Sequence, residues 1–237
     1  MTLETQWANI VECYSPASIE VVGAAAVQAT LVVIFGAYAW VGAEEKRRRT
    51  IRKMLPAVFG NVVIAAAVHI AALRLMSLWH GISVWDYSLT TVSPKIPSGS
   101  RLLMDLMSGV FFFEIFFYYL HALMHTKWLY RHVHSIHHRS EEVSIAAFHS
   151  HPVEYLTMNF GMITGPPVLI SSHVLSLLLN GAVAGVVALY VHSGDDLPGL
   201  MSHEGHHLKP NRNLGAVGIL DWVHGTQYHS SPVQKKH

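Results

Sequence analysis

Long uncharged runs separated by short polar segments dominate the hydrophobic pattern of this chain. Uncharged runs cover residues 21–43, 54–73 and 155–194, and a fourth apolar run, 102–120, contains only two acidic residues. An apolar helix needs about 20 residues to cross a bilayer, so the first, second and fourth runs each predict one span. The run of 40 residues is long enough for two spans with a break at Pro166 and Pro167, where helix hydrogen bonds are lost. The pattern therefore predicts an all-α polytopic membrane protein with about four to five transmembrane or re-entrant helices.

The basic cluster EEKRRRTIRK, beginning at Glu44, orients these spans. Short loops that are rich in lysine and arginine remain on the cytoplasmic side. Counting spans from this loop predicts that the segments ending at His125 and His192 reach the same cytoplasmic surface. Acidic residues rather than a basic head precede the first run, which is atypical of a cleaved signal peptide. We divide the chain into an N-terminal membrane region, 1–101, with two transmembrane helices, and a histidine-bearing region, 102–237, within one integrated domain.

Glu114 is a carboxylate in the middle of the apolar stretch GVFFFEIFFYYL. A charged side chain at the centre of a membrane helix costs about 2.5–3.5 kcal/mol on insertion scales. We therefore expect Glu114 to face protein rather than lipid. Pairing with a neighbouring helix is favoured over a role in a functional site.

Composition supports the membrane class, because 51% of residues are hydrophobic, 13% are charged and the mean hydropathy is +0.32. A formal net charge of +1 provides no electrostatic footprint for nucleic acid. The single cysteine, Cys13, excludes an intrachain disulfide and a zinc site built on several cysteines. Histidine is unusually abundant, since its 18 copies exceed the 16 lysines and arginines together.

Eight histidines form three regularly spaced clusters. The first has i, i+4 spacing, which places both side chains on one helix face where they can bind the same metal. The other two have i, i+3, i+4 spacing, and the full set is His121 and His125; His134, His137 and His138; and His203, His206 and His207. Imidazole suits iron, zinc, copper and nickel. Eight ligands exceed the three or four of a zinc site, so two metal ions fit the number better.

The remaining histidines have less regular spacing. We expect seven of them to be ordinary core, interfacial or surface residues: His69, His80, His132, His173, His224, His229 and His237. His149 and His151 remain open. At His192, a metal-facing role competes with simple interaction at a helix end.

Two other interpretations of the clusters remain. One is a non-enzymatic, histidine-rich membrane protein that binds metal loosely. The other is a membrane zinc metalloprotease, because HEGHH matches H-E-x-x-H with His203 and His207 as ligands and Glu204 as general base. The protease interpretation leaves the clusters at 121–138 without a role.

Taken in order, the three boxes HxxxH, HxxHH and HxxHH resemble the sterol desaturase and fatty acid hydroxylase superfamily, which are membrane non-haem di-iron enzymes. The resemblance extends from about Glu114 to Thr226. HPVEYLTMNFGMITGPPVL and HSGDDLP are most similar to the sterol C4-methyl oxidase branch, which has HPxE, a Gly-Pro pair and HSGYDFP in the same places. NRNLGAVGILDWVHGT is similar to the family's N-x-G, Asp and Gly-Thr ending.

This resemblance implies iron ligation by the eight clustered histidines, which would also be the catalytic set, and by His192. His151 and Asp196 are candidates for a ligand or for a group that holds a ligand in place. Asp195 replaces the tyrosine of HSGYDFP, while Val223 and His224 replace the usual aromatic residue near DWVHGT. These departures weigh against a sterol substrate more than against the metal chemistry.

The resemblance also implies the activity. The protein would use two non-haem irons, O2 and electrons to hydroxylate, oxidise or desaturate an apolar, lipid-like substrate such as a sterol, a fatty-acyl lipid, or a terpenoid or polyketide intermediate. No haem or flavin signature occurs in the chain, so electrons would come from an external donor such as cytochrome b5 and its reductase. The implied location is the endoplasmic reticulum membrane, with the metal site facing the cytoplasm.

Overall fold

The computed structural model describes residues 1–140, 143–193 and 202–228, and helices account for the regular secondary structure of these residues. The helices are α1 (Leu3–Cys13), α2 (Pro16–Trp40), α3 (Glu45–His80), α4 (Gly99–Met124), α5 (Lys127–Leu129), α6 (Ser135–His138), α7 (Pro152–Glu154), α8 (Met162–Leu169), α9 (Val174–Val191), α10 (His203–Leu208) and α11 (Ile219–His224). Two π-helical segments, Tyr130–His134 and Tyr155–Gly161, and a 3₁₀ segment, Ser144–Phe148, complete the set.

Within the described residues, four helices are long and apolar enough to cross a membrane: α2, α3, α4 and α9. They coincide with the apolar runs of the sequence, which confirms the prediction of an all-α polytopic membrane protein. The helical stretch from Tyr155 to Leu169 is too short to count as a fifth candidate, and it joins a π-helical segment to α8.

Local signals in the sequence account for the bounds of the long helices. Ser15 and Ser98 precede α2 and α4, and their side chains accept hydrogen bonds from the backbone N–H groups of Ser18 and Arg101. The helix α3 ends at Gly81, which has a left-handed backbone (φ +67°) that glycine adopts without steric cost.

Two details of the sequence-based topology are corrected. The basic cluster is not a loop but the first turns of α3, where Arg48 and Arg52 lie over the ring of Trp40 at 5.4 and 5.1 Å. The break expected at Pro166 and Pro167 comes after them, because both prolines lie inside α8. A proline removes only its own N–H, so the helix continues until Ile170 and the left-handed Ser171 end it.

Small residues allow the long helices to pack closely. A Cβ atom at Gly185 of α9 would collide with the Leu31 side chain of α2, and one at Gly109 of α4 would overlap the Asn180 side chain of α9. Close approach through small residues is typical of membrane helix pairs. As a result, α4 and α9 run side by side, and both end next to the histidine clusters.

Candidate metal centre

Nine histidines assemble into two groups whose potential ligand atoms lie within 4.8 Å of one another. The first group is His121, His125, His134, His138 and His206; the second is His137, His192, His203 and His207. Every clustered histidine of the sequence belongs to one of the groups, and His192 joins them. The structure thus brings together four segments that are up to 86 positions apart in the sequence.

Four imidazole nitrogens of the first group form a closed ring. Nε2 of His125 lies 3.1 Å from that of His134 and 3.2 Å from that of His206. Nε2 of His138 completes the ring at 3.1 Å from both of those residues. Four atoms with this spacing surround a point roughly 2 Å from each, which matches the usual metal–imidazole distance of about 2.0–2.1 Å. The donor set of the first group therefore fits a metal ion.

The second group has the same character with four imidazoles. Nε2 of His192 lies 3.3 Å from Nε2 of His137, and Nε2 of His207 lies 3.0 Å from Nε2 of His203. The two groups are adjacent, because the rings of His137 and His138 belong to consecutive residues and the ring of His138 lies 4.4 Å from that of His207. The arrangement can hold two metal ions side by side.

The spacing in sequence explains only part of this division. Each i, i+4 pair stays within one group, as expected for two residues on one helix face. The third members of the clusters cross over, because His137 joins the group of His203 and His207, whereas His206 joins the group of His134 and His138.

Backbone carbonyls fix the other nitrogen of several rings. Nδ1–H of His121 donates to the carbonyl of Leu214 at 2.7 Å, and Nδ1–H of His206 donates to that of Arg212 at 2.8 Å. Nδ1–H of His192 donates to the carbonyl of Ala188 at 2.6 Å. A proton held on Nδ1 leaves Nε2 with a free lone pair directed at the group, which is the usual arrangement for metal-binding histidines.

Glu154 supplies a carboxylate behind His134. Its Oε1 lies 3.0 Å from Nδ1 of His134, at an angle more bent than that of a regular hydrogen bond, while its buried Oε2 has no hydrogen-bond partner among the described residues. Burial raises the pKa of Glu154, and the contact with His134 partly offsets this increase. Glu154 belongs to the HPVE box, but the spacing of that box did not reveal its contact with His134.

Glu114 and Asp221 organise the loop that carries the carbonyl of Leu214. The Glu114 side chain is 4% exposed and accepts hydrogen bonds from the backbone N–H groups of Ala216, Val217, Gly218 and Leu220. It faces protein as expected, and its partners are three amides of the loop together with the amide of Leu220 in the first turn of α11, since a carboxylate accepts several backbone donors without a counter-charge.

Asp221 is fully buried and accepts from the N–H groups of Leu214 and Gly215 and from the hydroxyl of Thr226. A continuous set of hydrogen bonds therefore leads from Asp221 through Leu214 to His121.

Burial favours the neutral form of imidazoles in both groups, as His125 and His207 illustrate. Loss of hydration is the main cause that lowers the pKa of His125 to about 3 and that of His207 to about 4, and nearby imidazoles add to the effect. Neutral imidazole is the form that binds metal, so both groups are ready for metal at physiological pH.

The other candidates lie outside both groups. His151 accepts a hydrogen bond from the N–H of Val153 at the start of α7, and His149 contacts the hydroxyl of Ser140. Asp195, Asp196, His229 and His237 lie outside the described residues. The remaining single histidines have local partners: Glu20 for His69, Tyr87 for His80, Trp128 for His132, Ser93 for His173 and Tyr119 for His224.

The protease interpretation is not favoured by this geometry. His203 and His207 do lie together, but two further imidazoles, His137 and His192, complete their group. A catalytic zinc site keeps three protein ligands and an open position for water, whereas this group presents four nitrogens.

A largely apolar cavity of about 230 Å³ opens onto both histidine groups. Its walls come from α4, α8, α9, the π-helical segment Tyr155–Gly161 and the loop before α11. One end is lined by His121, His134, His137, His192 and His203. Only two side-chain amides line it within the membrane helices and the adjoining π-helical segment, Asn159 and Asn180. The uncharged run contained both of them, but neither was singled out from the sequence.

Comparison with known proteins gives a consistent result. The family model described as fatty acid hydroxylase matches residues 106–226, slightly more than half of the chain. The chain is 31% identical over 136 residues to fatty acid hydroxylase domain-containing protein 2 of Homo sapiens, covering 56% of this chain and 41% of that protein. It is 27% identical over 181 residues to fatty acid hydroxylase ahd1 of Mycosarcoma maydis, covering 74% and 45%.

A third relative is methylsterol monooxygenase 2-2 of Arabidopsis thaliana, which is 26% identical over 147 residues, covering 55% of each chain. The chain thus spans between 41% and 55% of the length of these three relatives. No solved structure matches it significantly.

Proposed function

Because the chain belongs to the fatty acid hydroxylase family, we propose that it is a membrane-bound non-haem di-iron oxygenase. It uses O2 and electrons to hydroxylate, oxidise or desaturate an apolar, lipid-like substrate. The observation that carries this proposal is the pair of adjacent all-imidazole groups at the end of an apolar cavity. The relatives include proteins named as hydroxylases and as a methylsterol monooxygenase, which supports this range of oxidative reactions.

Two iron ions suit this donor set. Imidazole binds iron readily, and nine nitrogen donors in two groups are more than one ion can use. The five histidines of the first group would hold one iron, and the four of the second group would hold the other. When bound, the irons supply the activation of O2 and the oxidation of an unactivated C–H bond, which protein side chains cannot perform alone.

The chain's own residues position these ions and the substrate. The carbonyls of Leu214, Arg212 and Ala188 hold three rings in the orientation that directs Nε2 inward, and Glu154 contacts a fourth ring. The apolar wall of the cavity excludes water and holds a hydrocarbon beside the imidazoles, which favours the reaction of one C–H bond over others.

The site also defines what must come from elsewhere. Electrons would arrive from a separate donor, such as cytochrome b5 and its reductase, at the histidine end of the molecule. This end would face the cytoplasm, because the basic first turns of α3 lie at the same end of the helices. In a eukaryotic cell, the membrane would be that of the endoplasmic reticulum. A sterol, a fatty-acyl lipid, and a terpenoid or polyketide intermediate are the substrate classes to test.

Metal content per chain tests this proposal most directly. Protein purified in detergent, without added metal, should contain about two irons per chain and consume O2 when a reductant and a lipid substrate are supplied. His121→Ala and His137→Ala, one from each group, should each lower the iron content and abolish the oxygenase activity. His132→Ala is the matched control, because His132 is exposed, lies in the same segment and belongs to neither group.

Other metal contents would lead to different conclusions. One zinc per chain, with peptide cleavage lost in Glu204→Gln and retained in His121→Ala, would replace the oxygenase with a protease. Metal binding without any O2 consumption would instead indicate a protein that only stores or moves metal.

A further inference from the structure

The cavity is a channel that follows two helices for three turns. On α4 its lining extends from Leu106 and Gly109 to His121, and on α9 it extends from Asn180 to His192. Gly109 precedes His121 by 12 positions, and Asn180 precedes His192 by the same number. At about 1.5 Å per helical residue, both lie about 18 Å from the level of the histidines, more than half of the roughly 30 Å hydrocarbon core.

The inner end of this channel is polar because of Asn180. The residue is 7% exposed, and its Nδ2 donates to the backbone carbonyl of Ser176. A carboxamide has two N–H donors and an acceptor oxygen, so this bond leaves a second N–H of Nδ2 for another partner, while Oδ1 lies against Gly109. Polar groups within a membrane span are costly, and their positions indicate candidate functional sites.

The space for this side chain is provided by Gly109. Any Cβ at position 109 would overlap Oδ1 of Asn180, so glycine on α4 lets the carboxamide lie at the channel wall. Asn159 of the π-helical segment also lines the channel, and it follows Glu154, which contacts His134, by five residues. Gly109 and Asn180 therefore define the inner end of the channel.

The outline of the channel favours an elongated occupant. A cavity of about 150 Å³ holds benzene, with six carbons, so by this comparison the 230 Å³ of the channel encloses about nine carbons. A chain that reaches from Asn180 to the histidines would fill this space and lie partly in the open side of the channel. The lining is drawn out along three helical turns, which suits a single hydrocarbon chain better than four fused rings.

We propose that Asn180 is a specificity-determining residue that binds a hydroxyl or carbonyl group of a chain-like lipid, about 18 Å from the carbon oxidised at the histidines. An extended backbone advances about 1.2 Å per bond, so this distance corresponds to about 15 bonds. This inference rests on the proposed oxygenase function and narrows its substrate class to linear or isoprenoid chains with a hydrogen-bonding group at that distance. The channel would then select the carbon to be oxidised by its distance from the polar group of the substrate.

Measurements of ligand binding test the role of Asn180 separately from the oxygenase function. Purified, iron-containing protein would be titrated with a linear alkane of about 16 carbons and with the corresponding 1-alkanol. We expect the alkanol to bind about 10-fold more tightly, the size of one hydrogen bond to an otherwise unpaired buried group. Asn180→Leu should remove this preference while retaining the iron content. Leu179→Ala, at the preceding position of α9 and on its exposed face, should keep the preference.

A second variant and a second measurement guard against misfolding of Asn180→Leu. Asn180→Ser retains a hydroxyl but shortens the side chain, so it should retain iron and bind the alkanol less tightly than the wild type. Oxidation of the alkanol should occur within a narrow range of carbons in the wild type and over a wider range in Asn180→Leu.

Three outcomes would overturn the inference: equal binding of alkane and alkanol by the wild type, no binding of either, or an unchanged preference in Asn180→Leu. Equal binding accompanied by oxidation would reject the role of Asn180 and leave the oxygenase intact. Preferential alkanol binding without any O2 consumption would support the role of Asn180 and reject the oxygenase function.

Discussion

At the scale of single residues, four of the nine candidate metal-binding rings are held by an atom on their other side, those of His121, His134, His192 and His206. The partners are carbonyls that no residue type reveals, together with the carboxylate of Glu154. A histidine whose Nδ1 proton is fixed presents Nε2 in one orientation, so the loss of such a partner weakens metal binding even though every ligand remains.

Glu154→Ala should therefore reduce metal retention at the first group. Removing the contact with Nδ1 of His134 is expected to weaken metal affinity about 10- to 100-fold, the usual effect of losing a group that holds a ligand. Glu154→Gln, which keeps the size and an acceptor oxygen, should be intermediate. Iron retained during dialysis against a graded series of chelator concentrations measures this effect. Equal retention by the wild type and both variants would show that Glu154 does not support His134.

Acid should destabilise the metal-free protein. The folded-state pKa values of His125 and His207 are lowered to about 3 and about 4, so below the ordinary value of about 6.5 the unfolded chain binds more protons than the folded one. Their contribution to stability is present above pH 6.5 and is lost as the pH falls towards 4. Glu154 acts in the opposite direction because its pKa is raised, but it is one group against several.

Thermal unfolding of chelator-treated protein in detergent, between pH 7.5 and pH 4.5, measures this dependence. The melting temperature should fall steadily below about pH 6.5. A flat profile across this range would mean that the histidines are hydrated and not buried in the metal-free protein.

At the scale of elements, the last turns of α4 and the loop before α11 form a single unit. Glu114 accepts hydrogen bonds from three backbone amides of that loop and from the amide of Leu220 in α11, and Asp221 accepts from two more loop amides. Irregular backbone is tolerated within a membrane protein only where protein groups satisfy its donors. The Glu114 carboxylate inside α4 thus accepts the hydrogen bonds of the loop amides. The loop carbonyl of Leu214 in turn orients the ring of His121.

Glu114→Ala should consequently destabilise the protein and lower its iron content together. Four backbone N–H groups, one of them buried and three part-buried, would lose their carboxylate acceptor, which costs roughly 3 kcal/mol. Thermal unfolding and metal analysis of the same preparation measure the two effects. Glu12→Ala, which removes an exposed glutamate of α1, is the control and should change neither. A normal melting temperature in Glu114→Ala would refute the proposed unit.

At the scale of the whole molecule, the helices carry two chemically different ends. The beginning of α3 and the ends of α4 and α9 lie at the histidine end, while the end of α3 and the loop after it lie at the other. That other end is held together by contacts such as Trp7 with the carbonyl of Ser93 and Glu20 with the amide of Thr90. The membrane would separate these two ends.

Single cysteines should report this sidedness. In a Cys13→Ser background, Arg49→Cys and Trp222→Cys should react with an impermeant thiol reagent from the same side of sealed vesicles. Trp79→Cys should react only from the opposite side, and all three side chains are exposed. Labelling of Arg49→Cys and Trp222→Cys from opposite sides would contradict the convergence of the histidine segments at one surface.

The spans and the histidine clusters could be read from sequence because both depend on local properties. The length of an apolar run is enough to predict α2, α3, α4 and α9, and i, i+4 spacing is enough to pair His121 with His125. The same reasoning predicted a break at Pro166 and Pro167, whereas the helix ends after them. The end of α8 depends on the residues beyond the prolines rather than on the N–H groups that the prolines lack.

Only the tertiary structure decided how the clusters combine. The crossing of His137 and His206 between the groups depends on how α6 and α10 face each other, and the π-helical segment before α6 changes the direction of its side chains. The contacts of Glu114, Glu154 and Asn180 likewise join positions that the chain brings together only on folding. Spacing along one helix determines which residues share a face, whereas the packing of several helices determines which faces meet.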